Sequence, residues 1–237
     1  FLNDRLSADF DYYIRDTKNA AIPVTVPAIG GTVLKNVGVI RNSGIELSLG
    51  WADNINKDFS YNVSANFSTL KNEVQDLYGQ LYVEGGTAEF RQRSIVGEPV
   101  LAFYGYEVEG VYQTEEECIH DVIAVDNKLK PGDLIFKDQN GDFKIDGEDR
   151  VVLGSYFPNI MYGATIGITY HGIDFSTNMY GQAGNKILNR KRGEIIWTSD
   201  GNVDADLAIN RWHGEGTSNE YPSSSGLRNS TNFVDVM

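Results

Sequence analysis

The sequence has little of what disulfide-rich proteins, helical membrane proteins and nucleic-acid-binding proteins need. Its single cysteine, Cys118, excludes an intramolecular disulfide and any zinc site built from several cysteines. No apolar run approaches the roughly 18 residues that a membrane-spanning helix requires. The chain carries a net charge of −13 over 237 residues and has no basic stripe, so we expect no nucleic-acid partner.

Catalytic motifs are also missing. The chain contains no G-x-S-x-G, no P-loop and no H-E-x-x-H segment. Cys118 and His120 are a conceivable nucleophile pair, but the carboxylates of residues 115–117 would raise the pKa of the thiol and disfavour the thiolate. We therefore predict that the protein is not an enzyme.

The sequence does contain segments in which apolar and polar residues alternate with a period of two, which indicates β-strands. In the clearest case Phe59, Tyr61, Val63, Ala65 and Phe67 alternate with Ser60, Asn62, Ser64, Asn66 and Ser68. Similar alternation occurs in residues 6–15, 45–51, 104–112 and 160–182. The last segment crosses His171-Gly172 and predicts a hairpin of residues 160–170 and 173–182.

The predicted strands have the length and chemistry of barrel strands. Runs of 9 to 11 alternating residues match a tilted strand that crosses a bilayer. Small polar residues suit a wet lumen, and aromatics at the strand ends suit the girdles of a lipid-facing band: Phe59, Phe67, Tyr162 and Tyr170. A large soluble β-sandwich has the same alternation, so the pattern alone leaves both architectures open.

The segments between the strands are predicted to be loops of unequal length. Short links at residues 52–56 and 171–172 contrast with four long polar segments, which are residues 15–36, 71–100, 114–158 and 183–232. Short turns at one end and long loops at the other are typical of outer-membrane barrels.

One long segment is strongly acidic and contains a possible cation site. Residues 107–149 hold 13 acids and four bases. Within them, Asp138–Asp149 has the spacing of a twelve-residue calcium loop, with ligands predicted at Asp138, Asn140, Asp142, Asp146 and Asp149 and at the carbonyl of Lys144. Two features depart from the standard loop, because Phe143 replaces a glycine and Asp149 replaces a glutamate. The alternative is an ordinary turn in a solvated acidic loop.

The long loops also contain aromatic residues that suit substrate contact. Aromatic faces stack on sugar rings or peptide groups, which makes four residues candidate substrate-binding residues: Tyr82, Trp197, Trp212 and Tyr221. The alternative is local packing within the loops.

Six segments, in order along the chain, resemble the SusC/RagA group of TonB-dependent outer-membrane receptors. They are LSADFDYYIRDTK (6–18), NVGVIRNSGIELSL (36–49), VGEPVLAFYGYEVEGVYQ (96–113), DLIFKDQNGDFKIDGEDRVVLG (133–154), PNIMYGATIGITYHGIDFSTNMYGQAGN (158–185) and NRWHGEGTSNEYP (210–222). No single segment is decisive, but the ordered set covers most of the chain.

The resemblance implies an all-β chain that is part of a large antiparallel transmembrane β-barrel of the 22-stranded type, with long extracellular loops. Residues 1–237 would be a partial C-terminal region of that barrel, without the plug domain and the last strands. Residues 114–158 would form an acidic extracellular loop that includes the possible Ca²⁺ site.

The resemblance also implies a function in the outer membrane of a Bacteroidetes-type bacterium. Such receptors import an oligosaccharide or oligopeptide with a SusD-like surface lipoprotein as a lid. Their energy comes from TonB, which would act through an N-terminal region that this chain lacks, while outer-membrane lipid surrounds the wall. The alternative is a secreted or surface-bound β-rich glycan-binding module or adhesin with a calcium-stabilised loop.

Overall fold

The computed structural model describes residues 2–26, 31–87, 90–189 and 205–224, which form mainly antiparallel strands. The chain divides into two compact units. The first comprises residues 1–83, 94–101 and 155–186, and the second comprises residues 84–93, 102–154 and 187–237. Among the described residues, no helix has the length and apolar character needed to cross a membrane.

The secondary structure elements of the described residues are numbered here in chain order. The strands are β1 Leu6–Val26, β2 Gly31–Asn56, β3 Phe59–Thr69, β4 Lys71–Asp76, β5 Tyr82–Gly86, β6 Arg91–Ile95, β7 Ala102–Tyr106, β8 Val108–Val111, β9 Leu134–Phe136, β10 Arg150–Gly154, β11 Ile160–Tyr170 and β12 Ile173–Ala183. The helices are α1 Glu115–His120, α2 Val122–Asn127 and α3 Ala205–Asn210.

The first unit is built on one antiparallel sheet with the strand order β1-β2-β3-β11-β12, and β4 pairs with β2 beside this path. The register aligns the predicted apolar positions across the sheet. Phe10 pairs with Leu47, Leu47 with Phe67, and Phe67 with Tyr162. Because side chains alternate along each strand, the apolar residues of all five strands share one face. The predicted strands and the predicted β11–β12 hairpin are confirmed.

This apolar face is exposed. Phe10 is 66% exposed, Tyr162 54% and Phe175 60%. In a β-sandwich the inner faces of two sheets bury one another, and apolar residues of this size would form the core. The exposure therefore argues against the dry sandwich that the alternation left open.

The opposite face of the sheet is polar. One row across the five strands consists of Asp9, Ser48, Asn66, Gly163 and Tyr180. Most side chains on this face are small or uncharged, as expected for the wall of a water-filled space.

The two ends of the sheet differ. Phe59 pairs with Tyr170, so the β2–β3 turn and the β11–β12 turn lie at the same end. There the backbone N–H of His171 donates to the carbonyl of Asp58 at 2.9 Å. The long segment of residues 70–159 joins β3 to β11 at the other end. The predicted contrast of short turns and long connections holds for the β3–β11 connection, but only four residues separate β1 from β2 at that same end. The first short turn lies at residues 57–58 and not at 52–56.

The prediction of a loop at residues 15–36 was wrong. β1 continues to Val26 and β2 begins at Gly31, so this segment extends the hairpin. The guanidinium of Arg41 donates two hydrogen bonds to the Asp16 carboxylate at 2.7 and 2.8 Å. Farther along, an apolar cluster packs around the extension: Ile22, Val24, Val74, Leu77 and Val83. Cross-strand pairs hold these strands together where the simple apolar alternation has ended.

The second unit is built from short elements. Strands within residues 82–154 form a four-stranded sheet in the order β10-β7-β6-β5 and a β8-β9 ladder. A small core of Tyr112, Cys118 and Ala124 packs against Leu129 and Ile135. The segments at 71–100 and 114–158 were predicted as loops, but they contain β4 to β6 and α1, α2, β9 and β10 respectively.

The sequence did hold a signal for the first of these helices. Thr114 caps α1, because its hydroxyl oxygen accepts a hydrogen bond from the N–H of Glu117 at 3.2 Å. Asp121 caps α2 in the same way, accepting from the N–H of Ile123 at 2.8 Å. A threonine followed three residues later by a glutamate is a recognised helix start.

Candidate functional site

The apolar face of the sheet is bounded by aromatic side chains at both ends. Phe59 lies 6.1 Å from Tyr61 and 6.2 Å from Tyr170, measured between ring centroids, near the short turns. Phe67 and Tyr162 are paired toward the other end. Eight residues separate Tyr162 from Tyr170, about 26 Å along a strand and about 20 Å in height at the usual barrel tilt. The aromatic residues thus bracket a band of about 20 Å, somewhat shorter than the apolar band of about 25 Å that outer-membrane barrels present to lipid.

The polar face carries a cluster of charged groups toward the long connections. Asp11 pairs directly with Glu46 across β1 and β2. A cavity of about 520 Å³ is lined by Asp11, Tyr13, Arg15, Asn42 and Glu46, among others. The Tyr13 hydroxyl donates to the carbonyl of Thr69 at 3.3 Å. Water or a polar ligand suits such a lining better than hydrocarbon does.

The predicted calcium loop is folded by hydrogen bonds from its own backbone. The Asp138 carboxylate accepts from the N–H groups of Gly141 and Phe143 at 2.7 and 2.8 Å. Asn140 accepts from the N–H of Asp142, and Asp142 from that of Lys144, each at 2.9 Å. Successive polar side chains therefore fold the segment into consecutive tight turns.

The end of this loop is closed by a buried carboxylate. Asp149 is fully buried and accepts from the N–H of Gln139 at 3.0 Å and from the N–H of Asp146 at 2.7 Å. In turn, Asp146 accepts from the N–H of Glu148 at 2.8 Å. The two ends of the predicted loop are thereby tied together.

The loop also shows the strain that its sequence predicts. Phe143 has a φ of +64°, the left-handed conformation that a glycine adopts without penalty. Desolvation acts to raise the pKa of Asp138, but the backbone N–H groups of Phe143 and Gly141 outweigh it and hold that pKa below its usual value. Within the described residues, no three Asp, Glu, His or Cys side chains are grouped to hold a metal. Calcium binding stays a prediction.

Two of the four candidate aromatic residues lie together. The indole N–H of Trp212 donates to the side-chain oxygen of Gln113 at 3.1 Å, and its backbone N–H donates to the carbonyl of Tyr221 at 2.9 Å. Trp212 is half-buried, and its ring covers Gly132, where an added Cβ would lie 2.6 Å from it. Much of Trp212 is thus engaged in local packing.

The other two candidates are placed differently. Tyr82 belongs to the first unit and is 43% exposed. Trp197 lies outside the described residues. A substrate role for Tyr82, Trp197, Trp212 and Tyr221 stays a prediction.

Sequence reasoning missed the residue that organises these loops. The side-chain N–H₂ of Gln113 donates to the carbonyls of Val111 and Ser218 at 2.7 and 3.0 Å. Its oxygen accepts from Trp212 and from the N–H of Gly216, the latter at 2.9 Å. Because Trp212, Gly216 and Ser218 lie about 100 residues away, no local pattern could have identified Gln113.

The thiol of Cys118 is not activated. The side chain is 4% exposed, and burial raises its pKa, with further contributions from Glu115 and Asp133. The predicted direction is confirmed, but burial is the largest cause, and only the folded structure shows it. A thiol held protonated is a poor nucleophile.

An exposed apolar face between aromatic girdles, a polar reverse face and long antiparallel strands together define the wall of an outer-membrane β-barrel. Residues 1–113 match the family described as TonB dependent receptor-like, beta-barrel. Residues 1–113 therefore have the barrel of a TonB-dependent receptor, and the resemblance of the chain to the SusC/RagA group is confirmed.

Curated relatives of the chain are also named TonB-dependent receptors. TonB-dependent receptor P26 of Formosa agariphila is 31% identical in an alignment of 231 residues that covers 94% of this chain and 23% of that protein. TonB-dependent receptor SusC of Bacteroides thetaiotaomicron is 28% identical over 200 residues, covering 79% of this chain and 18% of SusC. The chain thus spans about a quarter or less of the length of these relatives.

A solved structure shows the same fold. The RagAB peptide transporter matches with a TM-score of 0.69 and 23% identity, over 93% of this chain and 24% of that one. The expected large antiparallel barrel and the outer-membrane location are confirmed. The family comprises receptors and transporters and is not an enzyme family.

Proposed function

We propose that this chain forms part of a SusC-like TonB-dependent transporter that imports an oligosaccharide or oligopeptide across the outer membrane. The observation that carries the proposal is the two-sided sheet, which is apolar and exposed on one face and polar on the other. Such a wall separates lipid from a wet interior through which a polar nutrient passes. The chain itself catalyses no reaction in this proposal.

The partners follow from the family resemblance. A SusD-like surface lipoprotein would act as the lid, and TonB would supply energy through a region outside this chain. Support comes from the relative named SusC and from the fold shared with the RagAB peptide transporter. The folded second unit offers the kind of structured loops on which a lid or a substrate would rest.

A genetic experiment tests transport. Deleting the gene should abolish growth on one class of nutrient, either oligosaccharides or peptides, and restoring it should recover growth only when TonB is present. Unchanged growth of the deletion strain on every nutrient tested, or recovery without TonB, would contradict the proposal.

Purification tests the lipoprotein partner. An affinity tag on the receptor, recovered from detergent-solubilised outer membranes, should bring down one lipoprotein in about equal amount. If the receptor always purified alone, the proposed SusD-like lid would be rejected. The growth test would then decide on the import function by itself.

The glycan-binding module considered from the sequence has less support. A secreted module would bury the face that holds Phe10, Phe67 and Phe175, and these side chains are exposed. Detergent dependence separates the two possibilities, because the barrel should aggregate without detergent and show heat-modifiable migration on a gel.

A further inference from the structure

Charged side chains follow the apolar band on the outward face of the sheet, on the side of the long β3–β11 connection. Tyr12 and Ile45 pair across β1 and β2 near the edge of the band. The next two rows hold four charged residues of three adjacent strands, which we call the rim cluster: Asp16 of β1, Arg41 of β2, and Lys71 and Glu73 of β4. Because every second residue of a strand points to the same side, the rim cluster shares the face of Phe67.

The rim cluster lies at the level of lipid headgroups. Leu47 pairs with Phe67 in the aromatic girdle, and Arg41 lies six residues beyond Leu47 on β2. Six residues span about 20 Å of strand, which is about 15 Å in height at the usual barrel tilt. The apolar band of an outer-membrane barrel extends about 5 Å beyond this girdle. Lys71, two residues before Glu73, is therefore about 5 Å beyond the hydrocarbon edge, and Arg41 is about 10 Å beyond it.

The rim cluster stays on the outside of a complete barrel. Its central residue, Arg41, belongs to β2, which pairs with β1 on one side and with β3 and β4 on the other. Strands that continue the wall beyond β1 or β12 extend it sideways and do not cover its outward face. The neighbour of the rim cluster is therefore the same lipid that the apolar rows meet.

The rim cluster holds its cations in place and leaves some of their N–H groups free. The Arg41 guanidinium donates through Nε and Nη2 to Asp16, and its Nη1 has no acceptor within the described ranges. The Lys71 ammonium lies 2.5 Å from the Glu73 carboxylate, but its side chain is 70% exposed and two of its three N–H groups remain. Lys18, two residues beyond Asp16, is exposed and forms no ion pair with any described residue.

We propose that Lys18, Arg41 and Lys71 form a docking site for the phosphorylated headgroup of a lipopolysaccharide in the outer leaflet. Three cations face two carboxylates, Asp16 and Glu73, so the site has a net positive charge. Guanidinium and ammonium groups are the donors that phosphate oxygens prefer. The acyl chains of the same lipid would lie on the apolar rows directly below, which continues the established lipid interface. The site is independent of the nutrient that the receptor imports.

The test measures lipid binding by the complete receptor in detergent. Native mass spectrometry would compare lipid A that carries its phosphates with lipid A from which the phosphates have been removed. The wild type should bind the phosphorylated form at least about tenfold more tightly, because each charge-assisted hydrogen bond to phosphate contributes roughly this factor. The double variant Arg41→Gln/Lys71→Gln should lose most of that preference.

The matched control lies at the same height on the other face. Arg15 neighbours Asp16 on β1, pairs with Asn42 and lines the cavity on the polar face. Arg15→Gln removes one positive charge from the same level of the wall, and it should keep the preference of the wild type for phosphorylated lipid A.

Four outcomes would overturn the docking site. They are equal binding of the two lipid A forms by the wild type, an unchanged preference in the double variant, an equal loss in Arg15→Gln, and competition by phosphatidylglycerol as effective as that by lipid A. If the double variant lost heat-modifiable migration, Lys18→Gln/Lys71→Gln would replace it, because both side chains are exposed. An unchanged preference in that second variant would reject the proposal.

Discussion

The five-stranded sheet and the second unit place their apolar side chains in opposite ways. The sheet turns Phe10, Phe67 and Phe175 outward, whereas the second unit buries Tyr112 and Cys118 in a small core. The same residue classes serve both regions, so composition does not explain the difference. The surrounding medium does, because hydrocarbon accepts apolar side chains that water would force inside.

The largest expected effect comes from a charge on the lipid-facing side. Val63 lies in the middle of the apolar face, between Trp51 and Ile166. Val63→Arg should destabilise the barrel by about 2–4 kcal/mol, because the guanidinium would enter the bilayer midplane. Urea unfolding of the complete receptor in phospholipid vesicles measures the change.

The matched control is the next residue on the strand. Ser64 projects to the polar face, so Ser64→Arg should change the free energy of unfolding by no more than about 0.5 kcal/mol. Equal destabilisation by the two substitutions would mean that neither face meets lipid, and the contrast between the two regions would be lost.

An effect of comparable size is expected from tight packing in the second unit. Gly132 has a φ of +92°, and an added Cβ would lie 2.6 Å from both Trp212 and Ser223. Gly132→Ala should cost about 1 kcal/mol in backbone strain and about 1–3 kcal/mol more in overpacking. Limited proteolysis of the receptor in intact cells should then cleave this unit several-fold faster.

The variant Gly141→Ala separates the cost of backbone strain from the cost of overpacking in Gly132→Ala. Gly141 has a φ of +77°, but nothing lies within 4 Å of an added Cβ. This variant should carry only the strain, about 1 kcal/mol, and be cleaved more slowly than Gly132→Ala. Similar cleavage of the two variants would show that the packing of Trp212 on Gly132 contributes nothing.

The smallest effect concerns the acidic loop of Asp138–Asp149. If the loop binds calcium, as its spacing predicts, Phe143→Gly should tighten binding about fivefold, because it relieves about 1 kcal/mol of strain at φ +64°. Phe143→Ala removes the ring but keeps the strain and should bind like the wild type. Calorimetric titration of the EDTA-treated receptor measures both.

A contrary result is easily recognised. A wild-type receptor that takes up no calcium at millimolar concentration would show that Asp138, Asn140 and Asp142 serve only to fold the turn through their backbone hydrogen bonds.

The sheet was largely predictable from the sequence, because its faces repeat every two residues. The alternation in residues 59–68 and the His171-Gly172 turn identified β3 and the β11–β12 hairpin, and the structure confirms them. The extension of β1 and β2 through residues 15–36 was missed, since cross-strand pairs such as Asp16 with Arg41 leave no periodic signal. The loop contacts of Gln113 were also missed, because its partners are distant in sequence.

The sequence by itself determined which residues of each strand share a face, since the two-residue period is a property of the extended backbone. It also determined the chemistry of each face and the turns of the acidic loop, whose polar side chains act on near neighbours. Only the tertiary structure decided that the apolar face is exposed and that Trp212 packs on Gly132. Exposure and contact depend on which distant segments pack together. Strand register and loop folding determine that packing, and the local sequence pattern does not.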